Sequence, residues 1–145
     1  MNPSRTGRYL LNKMDTYFPT NVIPISEPDL DIQIGRIYAQ AGNIDELKSR
    51  LTQLENRSDL ELEDLFYIGQ IYMNELSNFN LAKNLFKKLK YEYPMVPDIR
   101  YALIQIYSQQ DSTNLAIREI DDWLYLSPND EKAKNMKDYL NSTLN

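Results

Sequence analysis

The sequence has no cysteine and no histidine among its 145 residues. Without cysteine, a disulfide framework and thiol chemistry are excluded. Without histidine, the chain lacks the commonest general base and the commonest transition-metal ligand. A phosphate loop, a dinucleotide fingerprint and a serine nucleophile elbow are also missing. We therefore expect no catalytic residue, no cofactor and no metal, although the chain could be part of a larger enzyme.

The chain also lacks an excess of positive charge and a long apolar run. It has 16 lysines and arginines against 21 acids, a net charge of −5. Nucleic-acid binding needs a basic surface that contacts phosphates, so we expect no nucleic-acid partner. No apolar run approaches the about 20 residues that a membrane helix needs. The sequence predicts a soluble chain, either cytoplasmic or a soluble tail at a membrane.

What the sequence does have is a pattern that recurs about every 34 residues. The segment IGRIY at 34–38 reappears as IGQIY at 68–72, and Ala82 reappears 34 residues later as Ala116. Self-similarity at this period is the sequence signature of stacked helical hairpins. The repeat period alone therefore predicts a fold of stacked helical hairpins.

Apolar residues inside each repeat follow the helical period. A first helix begins at Pro28, presents Leu30 and Ile34 on one face and ends before Gly42, which suits a turn. The other predicted helices lie at about 44–56, 62–76, 79–92, 97–110, 113–126 and 130–143. The chain is thus predicted to be helical throughout this range.

These residues resemble the tetratricopeptide repeat (TPR), whose pattern has a small residue and an aromatic in the first helix, an alanine in the second and a closing proline. The second repeat, with a one-residue insertion near 76–79, matches it at Leu65, Ile68, Gly69, Tyr72, Ala82, Phe86 and Pro94. The third departs from it at Ile104, and the first departs at Leu47 and lacks the closing proline. The resemblance implies an all-α, right-handed superhelix of antiparallel helix hairpins, with about three repeats and an extra helix at each end.

The repeat frame divides the chain into segments at 1–27 (N-terminal helix and linker), 28–60, 61–95 and 96–128 (three repeats) and 129–145 (C-terminal capping helix). The first segment has the spacing of the second helix of a repeat whose first helix is missing. It is either an N-terminal cap or the place where a longer protein was cut. The missing helix would also leave an apolar edge, so a homodimer through this edge is possible.

In the TPR family, certain positions of the first helices line a concave face. Carried onto this sequence, the resemblance implies a peptide-binding groove lined by Ile32, Arg36, Gln40, Phe66, Tyr67, Gln70, Met73, Asn74, Tyr101, Gln105 and Gln109. Amides in this set can hydrogen-bond a peptide backbone, and its aromatic residues offer apolar anchors. We therefore expect a non-catalytic interaction module with a protein or peptide partner. The alternative is a solvent-facing spacer, with Phe66 and Tyr101 buried in the core.

A second resemblance concerns the run RTGRYLLNKMDTYFPTNVIPI at 5–25. It is similar to the region before the repeats in the tails of some large bacterial multi-spanning membrane proteins of the glycosyltransferase type. This resemblance implies an alternative function, in which the chain is an accessory or assembly domain of a larger membrane-bound enzyme and not its catalytic part.

Overall fold

The computed structural model describes residues 28–144, and this range contains seven α-helices and no strand. The helices are α1 (Pro28–Gln40), α2 (Ile44–Glu55), α3 (Leu62–Asn74), α4 (Phe79–Glu92), α5 (Pro97–Gln109), α6 (Thr113–Leu126) and α7 (Glu131–Thr143). The predicted N-terminal helix, its two interpretations and the homodimer edge lie outside the described residues.

The chain divides into two compact units, with the boundary between Leu60 and Glu61. In the first unit, α1 and α2 pack against each other as a hairpin. In the second, each helix from α3 to α7 packs against the next one along the chain. The core of the second unit is apolar and includes Ile68, Tyr72, Phe86, Leu89, Ile99, Leu103, Ile106, Ile120 and Trp123. Packing between sequence neighbours is typical of repeat proteins, because each hairpin buries its apolar face on the adjacent one.

The turn after the first helix of each pair is built in the same way three times. The residues with positive φ in these turns are Gly42, Ser77 and Asp111. The residue after each of them donates its backbone N–H to a tyrosine carbonyl at 2.8 Å: Asn43 to Tyr38, Asn78 to Tyr72 and Ser112 to Tyr107. A left-handed residue followed by such a bond ends a helix and reverses the chain. The repeated tyrosine therefore accepts the hydrogen bond that closes each hairpin turn.

Two glycines of the repeat pattern bring the paired helices close together. A Cβ atom at Gly69 would lie 2.5 Å from Cζ of Phe86, whose ring is fully buried. A Cβ atom at Gly35 would lie 3.0 Å from the Cα atom of Leu47. These distances are too short for ordinary carbon contacts. Glycine is therefore the residue that lets α4 lie on α3, and α2 on α1, at this separation.

A buried ion pair holds α4, α5 and α6 together. The carboxylate of Glu119 accepts hydrogen bonds from Arg100 Nη1 at 3.1 Å and from Lys90 Nζ at 2.9 Å. Arg100 also donates through Nη2 to the carbonyl of Pro94 at 2.9 Å and lies over the ring of Trp123. Buried charges lose several kcal/mol of hydration each and persist where they are paired and hydrogen-bonded. These partners offset much of the cost of burying Glu119 and Arg100, while the buried Nε atom of Arg100 has no hydrogen-bond partner among the described residues.

The last helix, α7, occupies the same positions as α5, one repeat later in the sequence. It begins 34 residues after α5 (131 − 97) and ends 34 residues after it (143 − 109). Ala133 and Leu140 are its buried residues. The predicted capping helix thus occupies the sequence position of the first helix of a further repeat. Asn135 and Tyr139 of this helix lie 34 positions after Tyr101 and Gln105, which the repeat pattern assigns to the concave face.

We predict that Gly69→Leu lowers the free energy of unfolding by about 1–3 kcal/mol, because the added side chain overpacks the buried ring of Phe86. Urea unfolding followed by circular dichroism measures the change. The matched control is Gln70→Leu, at the exposed neighbouring position of α3, where we expect a change within about 0.5 kcal/mol. Equal stability of the two variants would contradict the close approach of α4 to Gly69.

Candidate functional site

A pocket of about 720 Å³ lies between α5 and α7. Its apolar part consists of the buried Ile104 and Leu140 together with the half-buried Met136. The remaining lining residues are aromatic or polar: Tyr101, Gln105, Ser108, Lys132, Asn135 and Tyr139. An apolar pocket with a few polar groups around it is the usual form of a ligand-binding site.

The pocket includes residues that the repeat pattern predicts for the groove. From α5 it uses Ser108 together with Tyr101 and Gln105, and the latter two belong to the predicted groove. From α7 it uses the residues at 132, 135 and 139, which lie 34 positions after 98, 101 and 105. Sequence analysis identifies Tyr101 and Gln105 but misses the contribution of α7, because residues 129–145 are interpreted as a cap. The 34-residue offset is the signal that predicts it.

The carboxylate of Asp130 fixes α7 beside α5. Its Oδ2 atom accepts a hydrogen bond from Trp123 Nε1 in α6 at 2.7 Å and another from the hydroxyl of Tyr101 in α5. Its Oδ1 atom accepts the backbone N–H of Ala133 at 3.0 Å, which caps the N-terminus of α7. One side chain therefore connects three helices at one end of the pocket.

The electrostatics of this contact favour a protonated phenol and an ionised carboxylate. Burial, assisted by the hydrogen bond to Asp130, raises the pKa of Tyr101 to about 12. Burial alone would raise the pKa of Asp130, but the hydrogen bonds from Trp123 and Tyr101 outweigh it and lower this pKa below its ordinary value. At neutral pH the donor and the acceptor are thus both in the state that the hydrogen bond requires.

Lys132 is the one charged side chain among the lining residues of the pocket. Its Nζ atom lies 4.3 Å from the centroid of the Tyr101 ring, which is a cation–π contact. The other lining groups are phenols, amides, a hydroxyl and apolar chains. The hydroxyl of Ser108 donates to the carbonyl of Ile104 at 3.0 Å. The side chains that line the pocket are therefore of the types that bind a ligand through hydrogen bonds and apolar contacts.

Two predicted groove residues of the second unit pack within it, with Met73 buried and Phe66 half-buried. Phe66 packs edge-on against Phe86, with 5.2 Å between ring centroids and an interplanar angle of 67°. Met73 is 7% exposed, which leaves little of its side chain for a ligand. This burial corrects the interpretation of Met73 as an apolar anchor and gives Phe66 a packing role. The other predicted residues of this unit do not line the pocket: Tyr67 is half-buried, and Gln70, Asn74 and Gln109 are exposed.

The predicted groove residues of the first unit differ in exposure. Ile32 is 1% exposed, so it belongs to the core of the unit and its proposed contact with a ligand is corrected. Arg36 is half-buried and Gln40 is exposed. Their share in a groove that runs through all three repeats stays a prediction.

The described part of the chain lacks two other kinds of functional feature. Residues 28–144 contain no group of three or more acids, histidines or cysteines that could hold a metal ion. None of the helices described here is both long enough and apolar enough to cross a membrane. The pocket between α5 and α7 is the site on which we base a functional proposal.

We predict that Asp130→Asn destabilises the chain more at pH 7 than at acidic pH. Because folding lowers the pKa of Asp130, its stabilising effect is present above the unfolded-state pKa of about 4 and is lost as the pH falls through the lower folded-state value. Urea unfolding of wild type and variant at both pH values measures this difference. Asp122→Asn, at an exposed acid of α6, is the control. If the loss of stability in Asp130→Asn were the same at both pH values, the ionised carboxylate would be excluded as the contact.

No family model and no curated protein matches this sequence, but solved structures do. MamA from AMB-1, in crystal form P212121, matches with a TM-score of 0.61 and 18% identity over 99% of this chain and 77% of that chain. MamA from MSR-1, in crystal form C2, matches with a TM-score of 0.60 and 17% identity over 99% of this chain and 81% of that chain. MamA is a TPR-like helical protein. At this level of identity the likeness concerns the fold, and this chain has an all-α, TPR-like fold.

Proposed function

We propose that the chain is a non-catalytic protein–protein interaction module, and that the pocket between α5 and α7 holds an apolar side chain of a partner segment. One observation carries this proposal: an apolar pocket with an amide-bearing rim lies on the face where the repeat pattern expects a partner. The TPR-like fold supports it, because stacked helical repeats form extended binding surfaces.

The apolar part of the pocket can supply binding energy. Ile104 and Leu140 form a surface that is held in place by the core, while Met136 is unbranched and can adapt to the shape of a ligand. The volume of about 720 Å³ lies within the usual range of ligand pockets. Burial of one large apolar side chain contributes about 1.5–3 kcal/mol. A peptide with one such residue would therefore have an anchor.

The polar groups at the rim of the pocket can orient a bound peptide. Gln105 and Asn135 are exposed, and each amide has both donors and an acceptor for the backbone of a peptide. Tyr139 is 69% exposed and adds an aromatic surface beside them. Aromatic residues at the centre of an interface often dominate its binding energy. Tyr139 is therefore the lining residue whose removal tests binding with little effect on the core.

The alternative function, as an accessory domain of a larger membrane-bound glycosyltransferase-like protein, depends on residues 5–25. These lie outside the described part of the chain, and the matching structures give this alternative no support. It remains a prediction of the sequence.

The proposal is tested with peptides selected from a random display library on the wild-type chain. We expect them to bind Tyr139→Ala at least about tenfold more weakly, a loss of about 1.4 kcal/mol, because the variant lacks an aromatic contact at the pocket. Fluorescence anisotropy of labelled peptides measures the affinity.

The matched control is Tyr125→Ala, which removes a tyrosine of α6 that is 87% exposed and does not line the pocket. It should bind the selected peptides like wild type. Thermal unfolding of both variants checks that each remains folded. Peptides that bind Tyr139→Ala and wild type equally, or a selection that yields no binding peptide, would contradict the proposed site.

A further inference from the structure

We propose that Lys132 determines which partner the pocket accepts, and that the bound segment carries an aspartate or glutamate next to its apolar anchor residue. The inference rests on the proposed function, since it names the chemistry of the segment that this pocket binds.

The first argument is that the exposed ammonium group of Lys132 has no carboxylate partner among the described residues. Its contact within residues 28–144 is with the ring of Tyr101, and the structure gives it no carboxylate there. Two other lysines of α7 are paired differently: Lys134 with Glu131 at 3.4 Å and Lys137 with Asp121 at 2.7 Å. Lys132 is therefore the lysine of this helix that is both placed at the pocket and available to a carboxylate from outside.

The second argument is that the ammonium group of Lys132 lies over an aromatic ring that is itself held in place. The hydroxyl of Tyr101 is held by Asp130, so the ring face that lies under the ammonium group is fixed. An ammonium group has three N–H donors and cannot accept a hydrogen bond, so its preferred ligand atom is an oxygen with negative charge. A group that is already in place loses less entropy on binding than one that must be ordered.

The third argument concerns the acids nearby. The charges of Asp130 and Asp98 both act on Tyr101, yet neither residue lines the pocket. Asp130 already accepts hydrogen bonds from Tyr101, Trp123 and Ala133. Lys132 is exposed, so water and salt screen its charge and its attraction for a carboxylate depends on direct contact. A ligand therefore needs the apolar anchor to bring its carboxylate to Lys132, and a small free carboxylate should bind weakly.

The test selects peptides from one random library on the wild type and on three variants: Lys132→Gln, Lys132→Glu and the matched control Lys134→Gln. We expect wild type and Lys134→Gln to enrich aspartate or glutamate next to a large apolar residue. Lys132→Gln should lose this preference, and Lys132→Glu should enrich lysine or arginine at the same place, because the charge in the pocket is reversed. Thermal unfolding confirms that each variant is folded.

A selected peptide and its own Glu→Gln derivative then provide a quantitative comparison. The derivative should bind wild type about three- to tenfold more weakly, in keeping with one partly exposed charge-assisted hydrogen bond. In Lys132→Gln this difference should disappear. Added salt should weaken the glutamate peptide more than its derivative, because screening acts on the charged pair.

The results that would contradict this inference alone differ from those that would also contradict the proposed function. Peptides that need Tyr139 but show no acidic preference would overturn the assignment to Lys132 and leave the pocket as the binding site. A Glu→Gln penalty that persists in Lys132→Gln would overturn it as well, since another cation would be the partner. Peptides that bind equally without Tyr139, or no binding peptide at all, would overturn both.

Discussion

The carboxylate of Asp130 is the contact on which the proposed binding site depends. It receives the Tyr101 hydroxyl from α5, the Trp123 indole from α6 and the first turn of α7. Hydrogen bonds to an ionised acceptor are about twice as strong as those between neutral groups. Because this one group links the start of α7 to α5, it also supports the position of Lys132 over the ring of Tyr101.

The second unit separates groups that hold the helices from groups that can contact a partner. The helices are held by the close packing of Gly69 on Phe86 and by the ion pair of Arg100 and Glu119. Tyr101 belongs to both sets, since its hydroxyl is used inside the unit while its ring lines the pocket. Tyr139 lines the pocket from the solvent-exposed side of α7. The side chains that line the pocket thus lie on a rigid support, which favours a defined geometry of the proposed site.

Much of the fold is predictable because its signals are local. Apolar spacing predicts the helices between 44 and 143 to within a few residues, and Gly42 marks a turn with a residue that tolerates positive φ. Asp111 is of a residue type that adopts positive φ more readily than most, but Ser77 takes the same conformation without such a signal. The hydrogen bond to a tyrosine carbonyl becomes visible only in three dimensions.

The site is predictable only in part. Tyr101 and Gln105 follow from the repeat pattern, but Met73, which the same pattern predicts for the groove, is buried, and the half-buried Phe66 packs against Phe86. A repeat position specifies a helix face only approximately, and the size of the neighbouring side chains decides which residues are covered. The link between Tyr101 and Asp130 spans 29 residues and depends on side-chain geometry, so no sequence spacing predicts it.

Peptide contacts mapped by NMR test the central claim, that α5 and α7 together form the binding site, most directly. A peptide selected on the wild-type chain is titrated into labelled protein, and the amide shifts are followed together with the indole signal of the single tryptophan. We predict that the largest shifts fall at 101–108 and 132–140, while the Trp123 indole, held by Asp130, changes little. Largest shifts on α3 or α4, or shifts spread evenly over the chain, would contradict it.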